Sequence, residues 1–143
     1  MHQNQEILSD LKGHLQQHLG DDVRDVVLFG SRAYGNARED SDYDVLIILN
    51  RDYTSSDEEQ ILDLCYEIDL KYDILIDAHL LSVAELNSPR GRQPIFTNAM
   101  KEGLYAWVWK KKNAWHCKAF IEAIKELLND TDQSIWRYFS VIA

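Results

Sequence analysis

The chain of 143 residues contains few cysteines, few prolines and no excess of basic residues. Its two cysteines, Cys65 and Cys117, lie in apolar helical patterns without the spacing of metal ligands, which argues against a disulfide framework and against a zinc site. No apolar run reaches the length that crosses a membrane, and the first six residues lack the basic and apolar regions of a signal peptide. We therefore expect a protein of the cytoplasm that does not enter a membrane.

The charge balance excludes one broad class of partner. Fifteen Lys and Arg residues face 24 Asp and Glu residues, which gives a formal charge of −9. Such a surface repels a polyphosphate backbone, so we expect no stable binding to nucleic acid. Lys110–Lys112 form a short basic run, which on an acidic protein is typical of a solvated connection.

Length and composition favour one globular domain. The chain is 45% hydrophobic and 27% charged, which is far from the composition of disordered proteins. We predict a single domain over residues 1–143, with its core at about residues 5–103 and a C-terminal strand and helical extension at about residues 104–143.

Apolar spacing predicts three buried strands between helices. A helix with one apolar stripe from Ile7 to Leu19 ends at Gly20. The three apolar runs that predict strands are Val26–Phe29, Val45–Leu49 and Ile74–Leu81. We predict an α/β (α+β) fold in which a small mixed sheet carries helices packed on one face.

Capping signals predict the remaining helices. Ser55 or Ser56, with Glu58 and Glu59 three residues on, favours a helix start before the second long apolar stripe. Ser82 and Glu85 repeat that pattern for a short helix. Another helix is predicted from Pro94 to Gly103, followed by an edge strand over 104–109.

Two carboxylates begin the second strand. Asp42 and Asp44 are two residues apart, so they project to the same face, with about 6.6 Å between their Cα atoms. Two neighbouring carboxylates repel each other unless a cation compensates, and hard oxygen ligands are those that Mg²⁺ selects. This spacing therefore predicts a magnesium site.

A third carboxylate interrupts the apolar run of the third strand. Asp77 is costly to bury there unless it serves a site, and it can face Asp42 and Asp44 if the third strand is adjacent to the second. Asp73 lies on the same predicted face and is the alternative, although Asp77 is embedded deeper in the apolar run.

A bend follows the first strand. Gly30 permits a close approach of the backbone, and Ser31 with the amides that follow it presents donors that suit a phosphate. Arg32 and Arg38 are nearby cations that are able to bind phosphate oxygens. The bend is therefore a candidate triphosphate site.

Other polar and aromatic residues have two interpretations. His79 shares the face of Asp77 and is able to reach the site, yet a lone histidine in a strand is more often structural. Tyr34 and Tyr43 lie within the motif and are candidates to contact a base or an acceptor. Four tryptophans are more typical of a core or an interface than of stacking on adenine: Trp107, Trp109, Trp115 and Trp136.

Gly30 and Ser31, ten intervening residues, and then Asp42, Tyr43 and Asp44 resemble the G-S-x10-D-x-D signature of minimal nucleotidyltransferases in the DNA polymerase beta-like superfamily. The resemblance covers about residues 20–85. It implies that Gly30 and Ser31 hold the nucleotide triphosphate, and we add Arg32 and Tyr43 as candidate nucleotide-binding residues. It also implies that Asp42, Asp44 and Asp77 are the catalytic and Mg²⁺-binding residues.

The length of the chain is similar to that of MntA-type antitoxins, which are paired with HEPN ribonuclease toxins. This resemblance implies transfer of AMP from ATP onto the hydroxyl of a tyrosine of the toxin, which silences it. The sequence leaves open whether the protein forms a homo- or hetero-oligomer. Two alternatives stay open. One is an antibiotic adenylyltransferase of the aminoglycoside type, because a cationic substrate suits a charge of −9. The other is a non-catalytic antitoxin that masks its toxin and keeps a residual nucleotide site.

Overall fold

The structure, a computed structural model, describes residues 2–107 of the chain. Several predicted features lie outside the described residues. They are Trp109, Lys110–Lys112, Trp115, Cys117, Trp136 and the helical extension at the C-terminal end. The first compact unit spans residues 1–108, and the single domain over 1–143 stays a prediction. None of the described helices is long and apolar enough to span a membrane.

Four helices and four strands alternate along the described residues. The helices are α1 (His2–Leu19), α2 (Ser31–Tyr34), α3 (Ser55–Tyr72) and α4 (Pro94–Glu102). The strands are β1 (Val23–Phe29), β2 (Tyr43–Leu49), β3 (Ile76–Ser82) and β4 (Leu104–Tyr105). Short 3₁₀ turns follow α1 and β3, at Gly20–Asp22 and Ala84–Asn87. The prediction of an α1 that ends before Gly20 and of a helix from Pro94 is confirmed.

The strands form one mixed sheet in the order β3-β2-β1-β4. β1 pairs antiparallel with β2 and with β4, whereas β2 and β3 run parallel. Parallel neighbours need a crossover of a dozen or more residues, which α3 supplies. The short β4 lies at the sheet edge. The edge strand predicted over 104–109 is therefore present, but it covers only Leu104 and Tyr105, and Ala106 and Trp107 lie beyond its end.

Each face of the sheet carries its own apolar cluster. The larger cluster joins alternate strand residues such as Val26 and Val45 to the apolar stripes of α1 and α3. The smaller one joins the opposite strand residues, such as Val27 and Leu46, to Phe96 and Ala99 of α4. The predicted fold class is confirmed. The prediction that helices pack on one face holds for α1 and α3, whereas α4 covers the opposite face. The reason is that strands that are apolar on both faces need cover on both.

The start of α3 differs from the prediction by one residue. Thr54, not Ser55 or Ser56, is the N-cap, and its Oγ1 accepts a hydrogen bond of 3.2 Å from the Asp57 amide. The Asp57 carboxylate in turn accepts one of 2.9 Å from the Thr54 amide. This reciprocal pair is a capping box with Asp in the position usually held by Glu or Gln. The predicted pattern at Ser82 and Glu85 is confirmed, since each amide bonds to the other's side chain.

Candidate active site

The strand register brings Asp44, Asp77 and the bend at Gly30 to one end of the sheet. Asp44 in β2 pairs with Phe29 in β1 on one side and with Asp77 in β3 on the other. Phe29 is the last residue of β1, so the bend at Gly30 begins beside Asp44. β3 is therefore adjacent to β2, and Asp77 lies beside Asp44 as the sequence analysis required.

Side chains of three residues converge on the face that α4 covers. One ligand atom from each of Asp44, Asp77 and His79 lies within 4.8 Å of the others. Asp77 and His79 are two residues apart in β3 and project to the same face. The Nε2 atom of His79 is 3.5 Å from Oδ2 of Asp77.

Burial and the neighbouring carboxylates act on the pKa of Asp44 in the same direction. The pKa of Asp44 is raised from its ordinary value, first by burial and next by the negative charge of Asp77. Asp42 raises this pKa further, whereas His79 lowers it. Asp77 is more open, with 57% of its side chain exposed. The site thus concentrates negative charge that a bound cation would stabilise.

Asp42 and Asp73 lie at the margin of this cluster. Asp42 is exposed and directly precedes β2, near enough to act on the charge of Asp44. Asp73 is the C-cap of α3, in a left-handed conformation with φ of 53°, and β3 begins only at Ile76. Of the two alternatives for the third carboxylate, the structure brings Asp77 to Asp44, and the three-residue cluster does not include Asp73.

The bend between β1 and β2 is a short helical turn followed by a loop. Gly30 is the N-cap of α2 with φ of 71°, and its carbonyl accepts hydrogen bonds from the amides of Ala33 and Tyr34. Gly35 ends α2 in the left-handed conformation. The predicted sharp turn at Gly30 and Ser31 is present, at the end of the strand that borders Asp44.

Arg32 holds the loop that leads back to β2. Its Nε and Nη2 donate to the Ser41 carbonyl at 3.1 and 2.8 Å, and Nη2 also donates to the Glu39 carbonyl at 2.9 Å. The guanidinium lies 4.6 Å from the centre of the Tyr43 ring, a cation–π arrangement. These contacts give Arg32 a structural role that the sequence analysis did not anticipate.

Tyr43 does not belong to the site surface. It is 5% exposed and packs in the larger apolar cluster with Val45, on the face opposite Asp44. Strand alternation is the reason, because neighbouring residues of β2 point to opposite faces. The structure gives Tyr43 a role in the core, and its contact with a nucleotide stays a prediction. Tyr34, by contrast, is 47% exposed.

His79 is the residue whose place the sequence left open. Its ring centre is 5.6 Å from that of Phe29 and 6.0 Å from that of Phe96. The ring is thus fixed between two aromatic side chains while Nε2 faces Asp77. The available sequence signal was its position two residues after Asp77, which gives the shared face but not the two aromatic neighbours.

The donor set suits a divalent cation. Two carboxylates and an imidazole come from adjacent parallel strands, and the lack of a Cβ at Gly30 leaves room for the Asp44 carboxylate. Ligands on opposite sides of an ion such as Mg²⁺ are about 4.2 Å apart, so small side-chain adjustments would bring these groups onto one ion.

A comparison with known families places the chain. The model of the family described as a nucleotidyltransferase domain matches residues 8–106, which include all four described strands and the site. The chain belongs to this family of nucleotidyltransferases. The recognition made from the Gly30–Ser31 and Asp42–Asp44 pattern is confirmed, and so is the prediction that the protein is an enzyme of this type.

Curated relatives of this nucleotidyltransferase come from Methanocaldococcus jannaschii. One, named "Putative protein adenylyltransferase MJ0141", is 39% identical over 71 residues, which are 50% of this chain and 72% of that protein. A second, named "Putative protein adenylyltransferase MJ1305", is 31% identical over 124 residues, which are 85% of this chain and 81% of that protein.

Solved structures similar to the nucleotidyltransferase share little sequence with it. One is described as the crystal structure of a toxin-antitoxin with AMP-PNP, with 17% identity and a TM-score of 0.47 over 100% of both chains. A second, the toxin-antitoxin MntA-HepT, has 14% identity and a TM-score of 0.44, again over 100% of both chains. Both TM-scores are low, and they add nothing to the family assignment.

Proposed function

We propose that this nucleotidyltransferase transfers AMP from ATP to a hydroxyl group of a protein, and that the acceptor is a HEPN ribonuclease toxin silenced by the transfer. The observation that carries the proposal is the meeting of Asp44 and Asp77 beside the Gly30–Ser31 bend. The protein acceptor is supported by the relatives, which are named protein adenylyltransferases. The toxin partner is supported by the resemblance of motif and length to MntA-type antitoxins.

Mg²⁺ is the proposed cofactor. Asp44 and Asp77 would hold it, together with Asp42, which directly precedes β2. When bound, the ion neutralises charge on the triphosphate and favours departure of pyrophosphate. Without a cation, burial and then the neighbouring negative charges of Asp77 and Asp42 raise the pKa of Asp44.

The residues of the bend have a separate proposed role. Gly30 and Ser31 would bind the triphosphate, because Gly30 leaves the backbone open beside Asp44 and Ser31 supplies a hydroxyl. Arg32 would support nucleotide binding indirectly, because its hydrogen bonds to the Ser41 and Glu39 carbonyls fix the loop between α2 and β2. In this arrangement the α-phosphorus lies near the carboxylates, where the reaction takes place.

Asp77 is the proposed partner of the acceptor hydroxyl. Its carboxylate is the more exposed of the pair, so an acceptor from outside is able to reach it. Asp77 would orient the hydroxyl and accept its proton as the oxygen attacks the α-phosphorus. The bond from that phosphorus to the bridging oxygen breaks, and pyrophosphate leaves on the opposite side.

The decisive experiment measures transfer of a radioactive label from ATP to protein. The protein is incubated with Mg²⁺ and α-³²P-ATP, with and without the protein encoded beside it, and labelled chains are separated by electrophoresis. Label on the partner supports the proposal, and Asp44→Asn should abolish it. Asp73→Asn is the matched control and should label normally.

Two other results would contradict the proposal. Label transferred to an aminoglycoside, but not to the partner, would establish the antibiotic-modifying alternative. Tight association with the partner without any label would establish masking, with the nucleotide site as a relic.

A further inference from the structure

The polar side chain beside Asp44 and Asp77 that the sequence pattern does not include is His79. Its Nε2 lies 3.5 Å from the Asp77 carboxylate, and its ligand atom is within 4.8 Å of those of both carboxylates. Asp42, which the sequence pattern does include, is exposed before β2 begins. The side chains that converge are therefore one imidazole and two carboxylates.

The surroundings of His79 keep its imidazole in place. Phe29 from the end of β1 and Phe96 from α4 lie against its ring. Only 29% of the side chain is exposed, so the ring has few other orientations. The imidazole therefore stays close to both carboxylates, where it is placed to share a cation with them as well as to pair with Asp77.

We infer that His79 is a metal ligand, and that it makes this site selective for transition-metal ions such as Mn²⁺ and Co²⁺ over Mg²⁺. Magnesium binds oxygen ligands and takes an imidazole poorly, whereas first-row transition-metal ions bind imidazole more strongly, with an affinity that rises from Mn²⁺ to Co²⁺. A site with one nitrogen ligand and two carboxylates therefore gains affinity for those ions. This inference rests on the proposed metal-dependent function, because it names the ion that the same site prefers.

The test detects nitrogen bound to the ion directly. Mn²⁺ is added to the full chain, and pulsed electron paramagnetic resonance measures coupling of the manganese to ¹⁴N. The expected result is a ¹⁴N coupling that is lost in His79→Gln and kept in His18→Gln. Growth with ¹⁵N-histidine should replace it by a ¹⁵N coupling in the unmodified protein, so the result does not depend on a variant that folds.

Affinity gives a second readout. Calorimetry should show Mn²⁺ and Co²⁺ binding weakened at least about 10-fold by His79→Gln, with Mg²⁺ binding nearly unchanged. Mn²⁺ bound without nitrogen coupling would overturn the inference and leave the proposed transfer intact. A protein that binds no Mn²⁺ would overturn it as well, while the labelling experiment with Mg²⁺ decides the proposed function separately.

Discussion

The Asp44 carboxylate occupies the space that a side chain on Gly30 would need. A Cβ built on Gly30 would lie 2.3 Å from Oδ2 of Asp44 and 3.2 Å from its Cγ. Gly30 also has φ of 71° and ψ of −156°, a region of backbone conformation that is essentially restricted to glycine. The first glycine of the motif is therefore required by the carboxylate as well as by the turn.

The variant Gly30→Ala should damage the site through both effects. We expect a loss of roughly 2 kcal/mol or more in the free energy of unfolding, from backbone strain and displacement of Asp44. Label transfer should fall by at least about 100-fold, since small misplacements of reacting groups have effects of that size. Denaturant titration and the labelling assay measure the two quantities.

Gly20→Ala separates strain from displacement. Gly20 also has a positive φ, of 59°, but a Cβ there would meet no atom within 4 Å. This variant should lose about 1 kcal/mol of stability and keep its activity. Equal losses of activity in the two variants would show that the contact between Gly30 and Asp44 has no catalytic importance.

Replacing the carboxylates one at a time should distinguish Asp77 from Asp73. Asp44→Asn and Asp77→Asn each remove a negative charge from the cluster, and we expect losses of label transfer of at least about 100-fold. Asp73→Asn should have little effect, because asparagine tolerates the left-handed conformation of this C-cap. A large loss in Asp73→Asn with a normal Asp77→Asn would reverse the assignment.

Local patterns predicted most of the described helices and strands well. The alternation of strand residues and the ten-residue spacing after Ser31 were enough to place Asp44 and Gly30 at one end of the sheet. The sequence did not establish that β2 and β3 are neighbours. The strand register shows that they are, and that Asp44 pairs directly with Asp77.

Contacts between segments that are distant in the chain could not be predicted from the sequence. Tyr43 lies inside the motif, yet its place in the core depends on which face of β2 α1 and α3 cover. Phe96 reaches His79 from α4, across 17 residues of chain. Arg32 was expected to bind phosphate, but its carbonyl partners become apparent only once the loop is folded.

Arg32→Lys should loosen the loop between α2 and β2. A lysine ammonium is unable to bond both carbonyls and lie over the Tyr43 ring as the guanidinium does. We expect a loss of about 1 kcal/mol in stability and faster amide hydrogen exchange over residues 36–42. Arg38→Lys, at an exposed position in the same loop, is the control. Weaker ATP binding with unchanged exchange would instead indicate direct contact between Arg32 and the nucleotide.

Cys65 should resist alkylation in the folded protein. It is 3% exposed in α3, and burial, with a smaller effect from Asp69, raises the pKa of its thiol to about 12. Because the thiolate is the reactive form, labelling by iodoacetamide at pH 8 should be at least about 1,000-fold slower than in the unfolded chain. Mass spectrometry of the peptide containing Cys65 measures the rates. Similar rates with and without denaturant would contradict the burial.

The Asp57 carboxylate should make stability depend on pH in acid. Hydrogen bonds from Arg51, and then from the Thr54 amide, lower the pKa of Asp57 below its ordinary value. A carboxyl group with a lowered pKa in the folded state stabilises the protein above its unfolded pKa, and this contribution is lost as pH falls through the folded value. Asp57→Asn should therefore lower the urea midpoint at pH 7, and the difference between its midpoint and that of the unmodified protein should shrink steadily below about pH 4.

Asp63→Asn, at an exposed position of the same helix, is the control and should show a much smaller difference at pH 7. A difference for Asp57→Asn that stays constant from pH 7 to pH 3 would mean that lost packing, rather than the charged bond to Arg51, causes the destabilisation.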